Sequence, residues 1–200
     1  MEALRDASLE EYILGLLLCF GAPTIKGLKA ASLLNLRRDG EDVCSFWNGH
    51  SRKWLEPLGI EGLMLNDGMG ARNALVMIYR RDILEQALQD KTASDILKAL
   101  GYPLQDLDGC LKYLCGRYRA EFPHEIGLFL DYPPRDVQGF MEHREAKSLT
   151  SGYWKVYGNV HRARRTFRRY QRAEREAARL WMSECGFIRK REHDPFREAR

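Results

Sequence analysis

No stretch of this 200-residue chain stays apolar long enough to cross a bilayer. The longest apolar run, Ile13 to Ala22, is about ten residues, half of the roughly 20 that a spanning helix needs. Glu2, Asp6, Glu10 and Glu11 precede it where a secretory leader would carry basic residues, so it does not read as a signal peptide. A cytoplasmic protein with no membrane partner is expected. A cysteine pattern is missing as well. The five cysteines (Cys19, Cys44, Cys110, Cys115, Cys185) are odd in number, scattered and without a CxxC, which excludes a disulfide framework or zinc ribbon and predicts reduced, mostly core thiols. The five histidines add no ligand spacing, so no metal is expected and no cofactor is named. No glycine-rich loop ends in Gly-Lys-Ser/Thr, so there is no P-loop. Charge of one sign is also lacking: 32 basic residues face 28 acidic ones, and a net +4 predicts neither a nucleic acid nor a membrane surface by itself.

What is present, 44% hydrophobic and 30% charged residues, suits one globular domain over residues 1–186 with a flexible charged tail over 187–200. Ser8 and Glu11 make a capping box in front of a helix with Tyr12, Ile13, Leu16 and Leu17 on its apolar face. Gly21, Ala22 and Pro23 stop it. The next loop carries Lys26 and Lys29, which suits either an anion or an ordinary solvated connector. A strand is expected over 32–36 and a helix from Glu41 to about Leu55, in which His50 reads as a packed or surface residue. Two apolar runs at 61–66 and 73–79 bracket DGMGARN and predict an antiparallel hairpin with turn glycines Gly68 and Gly70. Helices follow from Arg80 to Gln89, from an N-cap at Thr92 to Leu100, and along Leu104, Leu107, Leu111 and Leu114.

The densest chemistry lies between Phe122 and Tyr157. Pro123 suits the first position of a helix, which places His124 and Glu125 in the first turn as a candidate acid/base pair. Each also has a plain structural use, Glu125 facing the helix dipole and His124 packing. Further on, GYWKVY read as a strand points Tyr153, Lys155 and Tyr157 one way, with Trp154 and Val156 anchored in the core. Asn159 is the expected N-cap of a long helix reaching about Cys185, with Val160, Ala163, Phe167, Tyr170, Ala173 and Ala177 as its docking stripe. Its other faces are rich in arginine, and Arg165, Arg168, Arg169 and Arg172 are the candidates for binding a polyanion. The plain alternative is a solvated face with i,i+4 pairs such as Arg172 with Glu176.

The expected architecture is α+β: a small, mostly antiparallel sheet from 32–36, 61–66, 73–79 and 152–157, covered by several helices and the long basic C-terminal helix. The strings HEIGLFLDYPPRDVQGF and SGYWKVYGN, with the upstream Ala-Pro-Thr and the Tyr79-Arg80 step, resemble a bacterial family known as domain of unknown function 3793. The resemblance covers most of residues 10 to 172. It implies an origin among anaerobes, in some cases near flavodoxin or iron-uptake genes, and implies no activity. This chain has Asp131 where the family pattern usually has glycine, and Gly21 where it often has cysteine, which puts thiol chemistry at that loop in doubt.

Three functions fit these residues. The first is binding, with or without turnover, of a small anionic or aromatic molecule in a pocket built from the HEIG and GYWKVY segments, using His124, Glu125, Lys155, Tyr153 and Tyr157 with Lys29, Tyr79 and Arg80. The second is nucleic-acid binding through the C-terminal arginines. The third is docking of an acidic redox partner such as a flavodoxin on the same surface. Arginines spread evenly round the helix would weigh against the last two.

Overall fold

The computed structural model describes residues 7–66, 73–142 and 147–192, with side chains through Ser183. In chain order the elements are α1 (Leu9–Phe20), α2 (Ala22–Ile25), β1 (Ala31–Leu36), α3 (Val43–Leu55), β2 (Glu61–Met64), β3 (Ala74–Tyr79), α4 (Arg81–Leu88), α5 (Lys91–Ala99) and α6 (Leu107–Ala120). They continue with α7 (Ile126–Phe129), α8 (Pro134–Glu142), β4 (Thr150–Ser151), β5 (Lys155–Val156) and α9 (Val160–Glu192). This is the expected α+β class. The main sheet has the order β1-β3-β2 with both pairings antiparallel.

Every residue of β3 is buried, which is why ALVMIY reads as one apolar run rather than an alternation. Its two faces serve two cores. Leu75, Met77 and Tyr79 pack with Leu84, Leu97, Leu114 and Phe129 from the helices that follow. Ala74, Val76 and Ile78 pack with Ile13 and Leu17 of α1 and with Trp47 and Leu55 of α3. Helices therefore cover both faces of a three-stranded sheet.

Local signals set the helix starts. The capping box is formed: Ser8 N donates to Glu11 Oε2 (2.7 Å) and Glu11 N to Ser8 Oγ (3.2 Å). Asn159 Oδ1 accepts from Arg162 N (2.9 Å) at the head of α9. At α5 the cap is Asp90, whose carboxylate accepts from Thr92 N and Ala93 N (2.9 and 3.1 Å); Thr92, the expected cap, lies inside the first turn. An aspartate two residues upstream satisfies two backbone donors that a threonine already in the helix cannot reach.

The segment 152–157 is not a fourth strand of the main sheet. β4 and β5 form a separate hairpin with Ser151 opposite Lys155, closed by Gly152 N donating to Trp154 O (3.1 Å). The expected alternation holds at its centre, with Trp154 and Val156 buried and Lys155 exposed. The hairpin lies against α9, where Trp154 and Val156 share a cluster with Ala163, Phe167 and Tyr170. Gly152 is needed there, since a Cβ would sit 2.4 Å from Phe167 Cε2. His50 is packed, stacked on Phe46 with ring centroids 4.2 Å apart. The thiols of Cys44, Cys110 and Cys115 point at the carbonyls of Asn73, Pro103 and Met64, and burial pushes each of them up. Gly68 and Gly70, the side chain of Cys185 and tail residues 193–200 lie outside the described residues. Among those that are described, no helix is long and apolar enough to cross a membrane.

Candidate functional site

Tyr132, Pro133 and Pro134 stop α7 after a single turn and start α8, which puts Asp136 in the first turn of the new helix. Asp136 is 4% exposed, and its carboxylate accepts three hydrogen bonds of 2.8 Å each, from Trp154 Nε1, Tyr157 N and Gly158 N. That single group ties the start of α8 to the hairpin and to the entry of α9. Trp154, so held, lies 5.0 Å from the Tyr132 ring and edge-on to Phe167 at 4.5 Å. Two concavities open on either side of this junction.

The first is a cavity of about 430 Å³, lined mainly by Phe122, Ile126, Val137, Phe140 and Trp154, with His124, Lys155, Tyr132, Ser151 and the already hydrogen-bonded Asp136 as polar members. The His124 ring stands edge-on to Phe140 at 5.2 Å, and Lys155 Nζ lies 5.2 Å from the same ring's centroid. Two predicted site residues from distant segments thus meet around one phenylalanine. His124 does not sit in the first turn of a regular helix. It lies in a tight turn in which Ile126 N donates to Pro123 O and Gly127 N to His124 O, because α7 is only four residues long.

Glu125 points elsewhere. It is 1% exposed, accepts from the Tyr102 hydroxyl (2.9 Å) and pairs with Arg117 Nε, and it does not line the cavity. A carboxylate buried this way is matched by a guanidinium and a phenol, and its role is to fix the turn.

The second concavity is a cleft of about 1320 Å³ between the start of α8 and the first turns of α9, with Asp136 and Trp154 as the wall it shares with the cavity. Tyr157, Arg165 and Arg169 line it, joined by Arg135 and Arg162, which the sequence reading did not select. Arg168 and Arg172 do not line it. Arg172 instead pairs with Glu176 (2.8 Å), which also holds Lys26 (2.7 Å), and the two cations hold that carboxyl down at about 2.

Behind the cleft is Lys29, 5% exposed, with Nζ 5.4 Å from the Tyr132 ring and 5.6 Å from the Tyr170 ring. Desolvation pulls its ammonium down from 10.5 to about 8, against the attraction of Asp131 and Glu174. Those carboxyls are themselves raised by burial. Tyr153 donates to Glu174 (2.7 Å) and meets Tyr170 edge-on, so Lys29 and Tyr153 belong to one buried cluster. Asp131 accepts from Ala30 N (3.3 Å) at φ 59°, a left-handed backbone that glycine adopts freely and aspartate tolerates.

Tyr79 and Arg80 line neither concavity. The Tyr79 hydroxyl donates to Glu61 (2.8 Å), which also binds Arg81, and burial pushes the phenol up; Arg80 Nε lies 3.8 Å from Asp82. Sequence reasoning missed Asp136, Tyr132 and Arg135. The signal for Asp136 was an acid directly after Pro-Pro-Arg and followed by an apolar stripe, a position open to a side chain reaching back from a new helix. Its partners, some twenty residues on, carried no such mark.

The family model described as "Protein of unknown function (DUF3793)" matches residues 17–188, most of the chain, and the chain belongs to that family. No curated protein and no solved structure matches it.

Arg117→Met leaves the Glu125 carboxylate buried with Tyr102 alone and is expected to cost about 3–5 kcal/mol in urea unfolding. Glu125→Gln keeps an acceptor for Tyr102 and is expected to cost about 1–3 kcal/mol; the reverse order would mean that Arg117 does not hold the turn. For Lys29, the folded pKa of about 8 lies below the unfolded 10.5. The unfolded chain therefore binds more protons between those values, and this residue's contribution to stability rises with pH across the window. The stability difference between Lys29→Met and the wild type should then favour the variant at pH 7 and shrink by about 1–3 kcal/mol by pH 10. A difference that stays flat with pH would mean that Lys29 is not desolvated.

Proposed function

We propose that this member of the family binds a small molecule with a planar or branched apolar body and one anionic group, in the 430 Å³ cavity between the HEIG turn and the hairpin. The observation that supports this most is the meeting of His124 and Lys155 around Phe140 in a cavity whose other walls are mainly apolar and aromatic. Such a site gains affinity from buried apolar surface and orientation from a few polar groups. The ligand body would lie against Phe122, Val137 and Trp154, and Lys155, exposed and directed along Phe140, would meet the anion. His124 supplies a hydrogen-bonding imidazole beside it. Any turnover would use His124 as the acid or base, because Glu125 is committed to Arg117 and Tyr102.

The nucleic-acid and redox-partner readings rest on the arginines of α9. The exposed Arg162, Arg164, Arg165, Arg168, Arg169, Arg172, Arg175 and Arg179 share the outward half of the helix, opposite the buried Ala163, Phe167, Tyr170 and Ala173, where a solvated helix carries its charges in any case, and Arg172 is already paired with Glu176.

A thermal-shift screen with aromatic carboxylates, aryl phosphates and flavin mononucleotide tests the proposal. A ligand of this class should raise the melting temperature of the wild type, bind about tenfold more weakly to Lys155→Ala, and lose binding to a Val137→Trp variant whose added ring occupies the cavity. The proposal fails if every ligand found shifts a His124→Ala, Lys155→Ala double variant as much as the wild type.

A further inference from the structure

We infer that the cleft between α8 and α9 is a second, separate binding site, and that it takes a small molecule carrying two or more clustered negative charges, of the di- or triphosphate class. Arg162, Arg165 and Arg169 recur at steps of three and four along α9 and so share one flank of the helix, while Arg135 comes from the first turn of α8. Four guanidiniums thus line one concavity of about 1320 Å³. Guanidinium is the side-chain group best matched to bidentate contact with phosphate oxygens.

The balance of charge in the cleft follows from which of its groups are already engaged. Asp90, Asp131 and Asp136 also line it. Asp90 caps α5 through Thr92 N and Ala93 N, Asp131 accepts from Ala30 N, its carboxyl raised by burial against the pull of Lys29 and Arg162, and Asp136 holds Trp154 Nε1, Tyr157 N and Gly158 N. Among the described residues, no carboxylate forms an ion pair with Arg135, Arg165 or Arg169, in contrast to Arg117 and Arg172, each of which has one, and Arg81, which has three. Two further features add positive potential: the first turn of α9 opens beside Asn159 in the cleft wall, and Lys29 lies buried behind Tyr170. The four arginines outnumber the three carboxylates of the cleft, of which Asp131 interacts with Arg162, so an excess of positive charge stays gathered in one concavity, and a compact polyanion removes the repulsion among the arginines.

Four arginines share this one concavity, whereas Arg164 and Arg168 lie outside it. That arrangement suits a compact polyphosphate over a nucleic-acid strand, which needs a track of cations along its backbone.

Isothermal titration with tripolyphosphate at moderate salt tests the inference on three proteins checked for folding by circular dichroism: wild type, Arg165→Glu/Arg169→Glu, and Arg164→Glu/Arg168→Glu. The two variants carry the same charge change on opposite flanks. Tripolyphosphate should bind the wild type, bind the first variant at least tenfold more weakly, and bind the second within about twofold of the wild type. Equal weakening in both variants would show a diffuse charge effect and overturn the inference. So would tighter binding of a single-stranded oligonucleotide than of tripolyphosphate, or no binding by the wild type. Lys155→Ala should leave the tripolyphosphate affinity unchanged, which separates this site from the cavity.

Discussion

One buried carboxylate holds together the half of this protein that carries both concavities. Asp136 has two oxygens and accepts three hydrogen bonds, one from an indole and two from consecutive backbone N–H groups at the end of the hairpin. Burying an ionised carboxylate is costly unless it is fully hydrogen-bonded, so each donor is held by the cost of losing it. The result is a rigid corner where the Pro-Pro start of α8, the hairpin and the head of α9 meet. Both concavities share this corner as a wall: displacing Trp154 would open the cavity on one side and the cleft on the other.

The remainder of the fold supplies a platform. β3, buried on both faces, separates a core of α1 and α3 from a core of the later helices, and α9 lies against α1 and α2 as well as the hairpin. Two buried polar pairs brace loops on either side of this corner. Glu125 with Arg117 fixes the HEIG turn, and the Thr24 and Ser32 hydroxyls lie 2.8 Å apart between α2 and β1. Lys29 is the exception in kind, a desolvated ammonium between tyrosine rings with carboxyls nearby, and it costs stability at neutral pH.

Features governed by local geometry were legible in the sequence. The Ser8–Glu11 capping box, the Asn159 cap, the three main strands and the inward set of Trp154 and Val156 follow from spacings of two to four residues. Features governed by distant partners were not. Alternation in GYWKVY specified which side chains point inward, but a period of two is the same in a two-stranded hairpin as in a fourth sheet strand, and the tight turn at Gly152 decided between them. Glu125 read as a first-turn acid because nothing local announces Arg117 or Tyr102. The candidate residues likewise separated by long-range packing: His124 and Lys155 into the cavity, Tyr157, Arg165 and Arg169 into the cleft, Lys29 and Tyr153 into the buried cluster between α9 and the loop before β1, and Tyr79 into a network with Glu61.

The organising role of Asp136 is most directly tested by amide hydrogen exchange in an Asp136→Ala variant. Alanine removes both acceptors, Oδ1, which takes the Tyr157 and Gly158 N–H groups, and Oδ2, which takes the Trp154 indole. The account predicts that exchange at Tyr157 and Gly158 accelerates at least tenfold while Val76 and Ile78 in β3 keep their protection. Unchanged protection at Tyr157 and Gly158 would contradict it, and the corner would then owe its rigidity to the packing of Trp154 alone.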